Sequence, residues 1–213
     1  MTEGVDHDGG TDEPAERGRP RVLVAEDEPD VRALYVDRLA DEYDVVTAAD
    51  GEEALAVFDD TVDVVLLDRR LPGLHGDDTL DRIRESGVDV RVAAVTALGA
   101  DLDLVGLPVD AYLEKPVDAA ELRETVDRLV RIARYDDRVR RYYAATEKLA
   151  ALDGAPGVST SGRAYRELVR RHATLERGID DVRARLDDDD YEILFRDLAG
   201  DDGSHGDPHD LYA

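Results

Sequence analysis

Five short, nearly unbroken apolar runs, each followed by a stretch with helical spacing, occupy residues 21 to about 130 and leave few folds open to this chain. The runs are Val22–Ala25, Val45–Ala48, Val64–Leu67, Val90–Val95 and Ala111–Leu113. Between and after them lie Val31–Leu39, Glu53–Phe58, Leu80–Ile83, a short piece near Leu102–Val105, and Leu122 onward. A strand with one wet face alternates apolar and polar residues, whereas a continuous run needs cover on both faces. Such runs separated by helices predict a five-stranded parallel sheet, doubly wound, with helices on each side.

Past Leu113 the period changes. Ile132, Tyr135, Val139, Tyr142 and Leu149 recur at three and four residues if Thr146 takes one slot. Residues 153–162 (DGAPGVSTSG) interrupt with Gly, Pro and small polar residues. Then Tyr165, Leu168, His172, Leu175, Ile179, Val182 and Leu186 follow in strict 3, 4 alternation, a narrow heptad seam. This predicts an all-α, coiled-coil-like helical hairpin, or half of a bundle completed by a second copy. The expected organisation is an acidic tail at 1–20, an α/β domain at 21–130, a helical domain at 131–199 and a tail at 200–213. His172 lies on the seam and is read as a half-buried packing residue.

Composition narrows the chemistry. With no cysteine, disulfides, thiolate metal sites and cysteine nucleophiles are excluded. No apolar stretch reaches the roughly 18 residues of a membrane span, so a soluble, cytoplasmic protein without membrane partners is expected. The formal charge is −25, from 27 basic and 52 acidic residues. Only Lys115 and Lys148 are lysine, and Asp outnumbers Glu 36 to 16. A dense carboxylate surface keeps a protein soluble where counterions screen every charge, so the balance resembles that of halophile proteins; GC-biased codon usage, the alternative, favours Arg and Asp but does not by itself produce such an acid excess.

In a doubly wound sheet, ligands sit beyond the carboxyl ends of the strands. Glu26, Asp27 and Glu28 follow the first strand, Asp68 the third, Thr96 ends the fourth, and Lys115–Pro116 follows the fifth. Carboxylates meeting at one point repel unless a hard cation shares them, and Mg2+ suits such an oxygen set. A Lys ammonium and a Thr hydroxyl beside them can hold the oxygens of a phosphoryl group. Lys115 stands out in a chain that otherwise uses Arg, since a compact ammonium and a guanidinium fork are not interchangeable.

These residues resemble the CheY-like receiver domain of two-component response regulators, which has a flavodoxin-like fold. VLVAEDEPDVR is similar to its first strand and acidic pair, DVVLLDRRLPGLHG to its acceptor segment, DGEEAL to the opening of its second helix, and VTA and YLEKP to its last two motifs. The resemblance implies Asp68 as phosphoacceptor and Glu26, Asp27, Asp68 and the Arg70 backbone carbonyl as Mg2+ ligands. It further implies that Thr96 and Lys115 contact the phosphoryl group, that Tyr112 is the aromatic switch, and that the Lys115–Pro116 bond is cis. A sensor histidine kinase is the implied partner. Glu26 departs from the more common Asp, and the short stretch from Thr96 to Lys115 predicts a truncated helix there. A phosphatase with an aspartyl-phosphate intermediate needs a second Asp two residues after the nucleophile, where this chain has Arg70. Arg69 is read as part of a solvated loop. Autophosphorylation and dephosphorylation are then the only catalysis expected.

The C-terminal half resembles the haloarchaeal HalX domain in YDDRVRRYYAATEKLAAL, the heptad helix and DDDDYEILFRDL. From Arg128 to Arg177 there are 12 basic and 6 acidic residues, a local +6, which leaves −31 for the remainder. A basic stretch in so acidic a chain meets either DNA phosphates or acids of a protein partner, itself included. The expectation is a phosphorylation-switched output in transcriptional regulation, or a dimerisation and interaction module without DNA binding. Thr96 and Tyr112 would pass the signal along a final helix that begins near Asp118 and runs unbroken into the hairpin.

Overall fold

A computed structural model describes residues 18–97, 107–153, 162–187, 190, 191, 193 and 194. The tails, the Leu102–Val105 piece with its expected truncated helix, and residues 154–161 of the connector lie outside the described residues.

The apolar runs form β1 (Arg21–Ala25), β2 (Asp44–Ala48), β3 (Val64–Asp68), β4 (Arg91–Ala97) and β5 (Ala111–Lys115). All pair in parallel in the order β2-β1-β3-β4-β5. The helices are α1 (Pro29–Leu39), α2 (Gly51–Val57), α3 (Gly76–Glu85), α4 (Ala119–Asp153) and α5 (Arg163–Arg183). Local chemistry sets their starts. Pro29 opens α1, where its missing N–H costs nothing. Asp50 caps α2 by accepting from the Glu53 N–H at 2.7 Å.

β1, β3 and β4 each show one side to each of two cores, the reason their runs are unbroken, whereas the edge strand β5 alternates, with Tyr112 and Glu114 exposed. Val22, Val24, Val64, Leu66, Val95 and Leu113 pack with Tyr35 and Leu39 of α1 and Leu122, Val126 and Leu129 of α4. Leu23, Val65, Leu67, Val92 and Ala94 pack on the other side with Ala54 of α2 and Leu80 and Ile83 of α3. Burying side chains of this size stabilises by about 1.5–3 kcal/mol each, so the sheet is the mechanical base of the molecule.

α4 is one helix of 35 residues. Its first half closes the receiver-like core, and its second half pairs with α5. The pairing is antiparallel: Tyr165 donates to Asp153 at 2.7 Å, Thr146 Oγ1 meets His172 Nε2 at 2.9 Å, and Arg138 donates to the Gly178 carbonyl at 3.1 Å. The α5 seam from Tyr165 to Leu186 is half-buried at every predicted position, and no α5 residue is fully buried. His172 packs on the Tyr142 ring at 4.4 Å between centroids. One slot differs from the expected pattern: Ala145 is buried on the α4 seam, whereas Thr146 is exposed and turns its hydroxyl to His172. Ile193, also buried, returns the C-terminal segment to the core near Ile132 and Val130.

Ion pairs fasten the helical half to the lower edge of the sheet. Buried Arg91, at the start of β4, pairs with Asp110 at 2.8 Å and with Asp136 of α4. Arg84 also holds Asp110, at 3.0 Å. Arg140 of α4 reaches Asp89, and Arg131 reaches buried Asp190 at 3.4 Å.

Candidate functional site at the carboxyl ends of the strands

The parallel sheet directs the ends of β1, β3, β4 and β5 to one edge, and their residues converge there. Asp68, the last residue of β3, is 4% exposed. Its Oδ1 accepts the Arg70 backbone N–H at 2.8 Å, and its Oδ2 accepts from Lys115 Nζ at 2.7 Å. Both oxygens are thereby oriented. Lys115 also donates to Glu26 Oε1 at 3.0 Å, and its Nζ lies 2.7 Å from Oε2 in an ion pair without hydrogen-bond alignment. Glu26 is buried at 1% exposure, while Asp27 is exposed. Carboxylate oxygens of Glu26, Asp27 and Asp68 lie within 4.8 Å of one another.

Two glycines permit this geometry. Gly76 begins α3 so close beneath Asp68 that a Cβ would sit 2.3 Å from the Asp68 carbonyl oxygen. Gly73 turns the intervening loop with φ +71, which a residue bearing a Cβ adopts at a cost. The Leu-Pro-Gly and later Gly of the acceptor segment therefore have identifiable physical tasks.

The electrostatics follow from burial and from Lys115, the cation bonded to the carboxylates of Glu26 and Asp68. Burial raises the Glu26 pKa, and the hydrogen bond and charge of Lys115 only partly reverse this. For Lys115, burial works against the charged form, but hydrogen bonds to Asp68 and Glu26 outweigh it and hold the ammonium above its ordinary value. One lysine thus faces three carboxylates. The buried Glu26 Oε2, with no hydrogen-bond partner, and the close oxygens of three acids are the donor set of a hard divalent cation.

Thr96 is half-buried on β4, one residue beyond Val95, the register partner of Asp68. Tyr112 pairs in register with Ala94 on the edge strand β5 and is 40% exposed. Neither is part of the Glu26–Asp27–Asp68–Lys115 contact set. Arg70 is exposed, and its backbone N–H reaches the site. The Lys115–Pro116 bond is cis.

Arg69 corrects the reading of a solvated loop. Its side chain is only 11% exposed and grips Asp77 of α3 through Nε and Nη2 at 2.9 and 2.8 Å. A fork-to-carboxylate match eight residues apart draws it off the solvent. Sequence reasoning also missed Arg32. This α1 residue donates to the backbone carbonyls of Glu26 and, at 3.3 Å, Asp27, so it positions the acidic turn. A lone Arg one turn into a helix offers no signal for that role.

Comparison with known proteins agrees with the geometry. Residues 22–127 match the response regulator receiver domain, and residues 131–195 match the HalX domain. A Haloferax volcanii protein named as a transcriptional regulator is 48% identical over 135 residues, covering 62% of this chain and 23% of that protein. The transcriptional regulatory protein CpxR of Escherichia coli K12 is 33% identical over 122 residues, covering 55% and 52%. This chain therefore spans about a quarter of the first relative and about half of the second. The signal receiver domain of a LuxO repressor protein from Vibrio parahaemolyticus superposes with a TM-score of 0.53 at 30% identity, covering 57% of this chain and 98% of that one. The acid-rich composition fits the haloarchaeal relative. No described helix is long and apolar enough to cross a membrane. Residues 22–127 are the receiver domain of a two-component response regulator, and a HalX domain follows at 131–195.

Proposed function

We propose that Asp68 accepts a phosphoryl group, with Mg2+ held by Glu26, Asp27, Asp68 and the Arg70 backbone carbonyl, and that the modification switches the helical half. The observation that carries this reading is the double grip on Asp68. A buried carboxylate with one oxygen on Lys115 and the other on the Arg70 N–H is aimed, and its neighbourhood is short of positive charge. An Asp68 oxygen attacks phosphorus. The bond from phosphorus to the donor, a histidine nitrogen of a sensor kinase or the oxygen of a small acyl phosphate, breaks, and an aspartyl phosphate forms. Bound Mg2+ would supply positive charge shared between the carboxylates and the phosphoryl oxygens. Lys115 turns from the carboxylate to a phosphoryl oxygen, and Thr96 at the end of β4 hydrogen-bonds another. Tyr112, 40% exposed on the edge strand, follows Thr96 as the aromatic switch.

Receiver domains are in general phosphorylated by sensor histidine kinases and are not enzymes in their own right. The regulators that resemble this chain carry transcriptional names, which supports transcriptional control as the output, exercised in the cytoplasm. A homodimer through the C-terminal helices is compatible with an α5 that has no fully buried residue.

Intact-mass measurement of the full chain after treatment with acetyl phosphate tests the reading. One phosphoryl adduct is expected with Mg2+ and none with EDTA. The same adduct on Asp68→Asn would overturn the assignment.

A further inference from the structure

The arginines of the helical half differ in their partners. On α4, Arg131, Arg140 and Arg141 each have a carboxylate, in Asp190, Asp89 and Asp137. On α5, Arg163, Arg166, Arg170, Arg171 and Arg177 are all exposed, and among the described residues no carboxylate lies within ion-pair distance of any of them. In a chain with 52 acidic residues, five arginines of one helix left without an acid need a physical reason.

Their spacing supplies geometry. Arg163, Arg166, Arg170 and Arg177, at positions i, i+3, i+7 and i+14, fall on one side of a helix with 3.6 residues per turn, and Arg171 lies off that side. That side lies about half a turn from the seam of Leu168, His172, Leu175 and Ile179, so it faces away from α4. The stripe is about 21 Å long at 1.5 Å per residue. Ala173 and Thr174 keep the gap between Arg170 and Arg177 small, and Arg177 is drawn along the helix by Ala173 and Thr174. Glu167 stands at the margin and Asp181 one turn past the end. The stripe also starts at the hairpin tip, the part of α5 farthest from the acidic receiver.

We propose that this outer face of α5 is a contact surface for the phosphate backbone of duplex DNA. Guanidinium forks pair bidentately with phosphate oxygens, and a linear row of them matches a linear polyanion better than a compact acidic patch. The inference goes beyond the phosphoacceptor reading and does not depend on it, since the stripe exists without phosphorylation.

The test is fluorescence anisotropy of a labelled, random-sequence duplex with the full chain. KCl is titrated across the range where circular dichroism shows the chain folded. Four phosphate contacts predict a slope of log K against log salt of about −3.6. Replacing all four by Gln should flatten that slope nearly completely and weaken binding at least tenfold. Arg183→Gln, on another face and paired with Asp180, should change neither. These substitutions are exposed, and an unchanged melting temperature checks that the variants fold. No binding by the wild type, or equal slopes for wild type and the four-Gln variant, would overturn the proposal. So would poly-aspartate competing as strongly as duplex, which would assign the stripe to an acidic protein surface instead. Phosphorylation of Asp68 is read separately by mass, so failure of one reading leaves the other intact.

Discussion

Two charged clusters sit at opposite edges of the same sheet, and they differ in balance. At the lower edge, Arg84 and Arg91 meet Asp110 and Asp136, two cations for two anions, and Asp110 Oδ2 also accepts the Val92 N–H at 2.7 Å. At the upper edge, the three carboxylates of Glu26, Asp27 and Asp68 meet Lys115, while the Arg32 guanidinium bonds the Glu26 and Asp27 backbone carbonyls. Both are partly or wholly buried, so burial does not distinguish structure from function here. Charge left over does. A balanced buried network has no call for a ligand, whereas an uncompensated one is stable only if something else arrives or if the fold carries the strain.

Breaking the balanced cluster should have the largest effect. Arg91→Leu removes the buried cation shared by Asp110 and Asp136 and costs about 3 kcal/mol, because breaking a buried pair from one side is worse than never having built it. Denaturant unfolding at fixed salt measures it, and a loss below about 1 kcal/mol would show that the lower edge is not structural. Lys115→Met should cost about 2 kcal/mol without divalent cations, by exposing Glu26 and Asp68 to each other. Added Mg2+ should then raise its melting temperature more than that of wild type. Equal shifts would argue that the cation is not shared by these carboxylates.

A smaller effect is the pH response of Glu26. Its folded pKa is raised above 4.5 by burial, so the folded state binds the proton more readily than the unfolded one. Without metal, Glu26 should therefore add stability as pH falls from neutral toward 4.5, by at most about 1.4 kcal/mol per pH unit. Glu26→Gln should remove that part of the slope. Asp77 acts in the opposite sense in a separate window. The hydrogen bonds from Arg69 lower its pKa, so its contribution is present above 3.8 and lost below. The smallest effect is Asp27→Asn, which relieves repulsion at an exposed position and should stabilise the metal-free chain by about 0.5 kcal/mol. A destabilised variant would mean that Asp27 makes a contact worth more than its repulsion.

The upper edge was legible in the sequence and the lower edge was not, for one physical reason. Glu26, Asp68 and Lys115 each end or follow a strand, and a parallel sheet brings all strand ends together whatever lies between. Arg91, Asp110 and Asp136 meet because of how α4 crosses the sheet, and no periodicity in the chain encodes that crossing. The same limit explains Arg69, whose partner is fixed by the turn into α3, and the seam slot held by buried Ala145, where the spacing rule favoured Thr146. The α5 heptads were readable because a two-helix seam depends on local period alone.

The ion pairs that fasten α4 to the sheet make it a two-armed lever. Asp136 and Arg140 are the fulcrum. From there to Ala119 the arm is about 26 Å, and from there to Asp153 about 20 Å, at 1.5 Å per residue. Any sideways displacement of the Ala119 end, next to β5, reaches the hairpin tip reversed in direction and at about three quarters of its size. Because the helix is unbroken, the stroke at the tip needs no hinge, and its direction is set by two salt bridges at the far end of the strands from Glu26, Asp68 and Lys115.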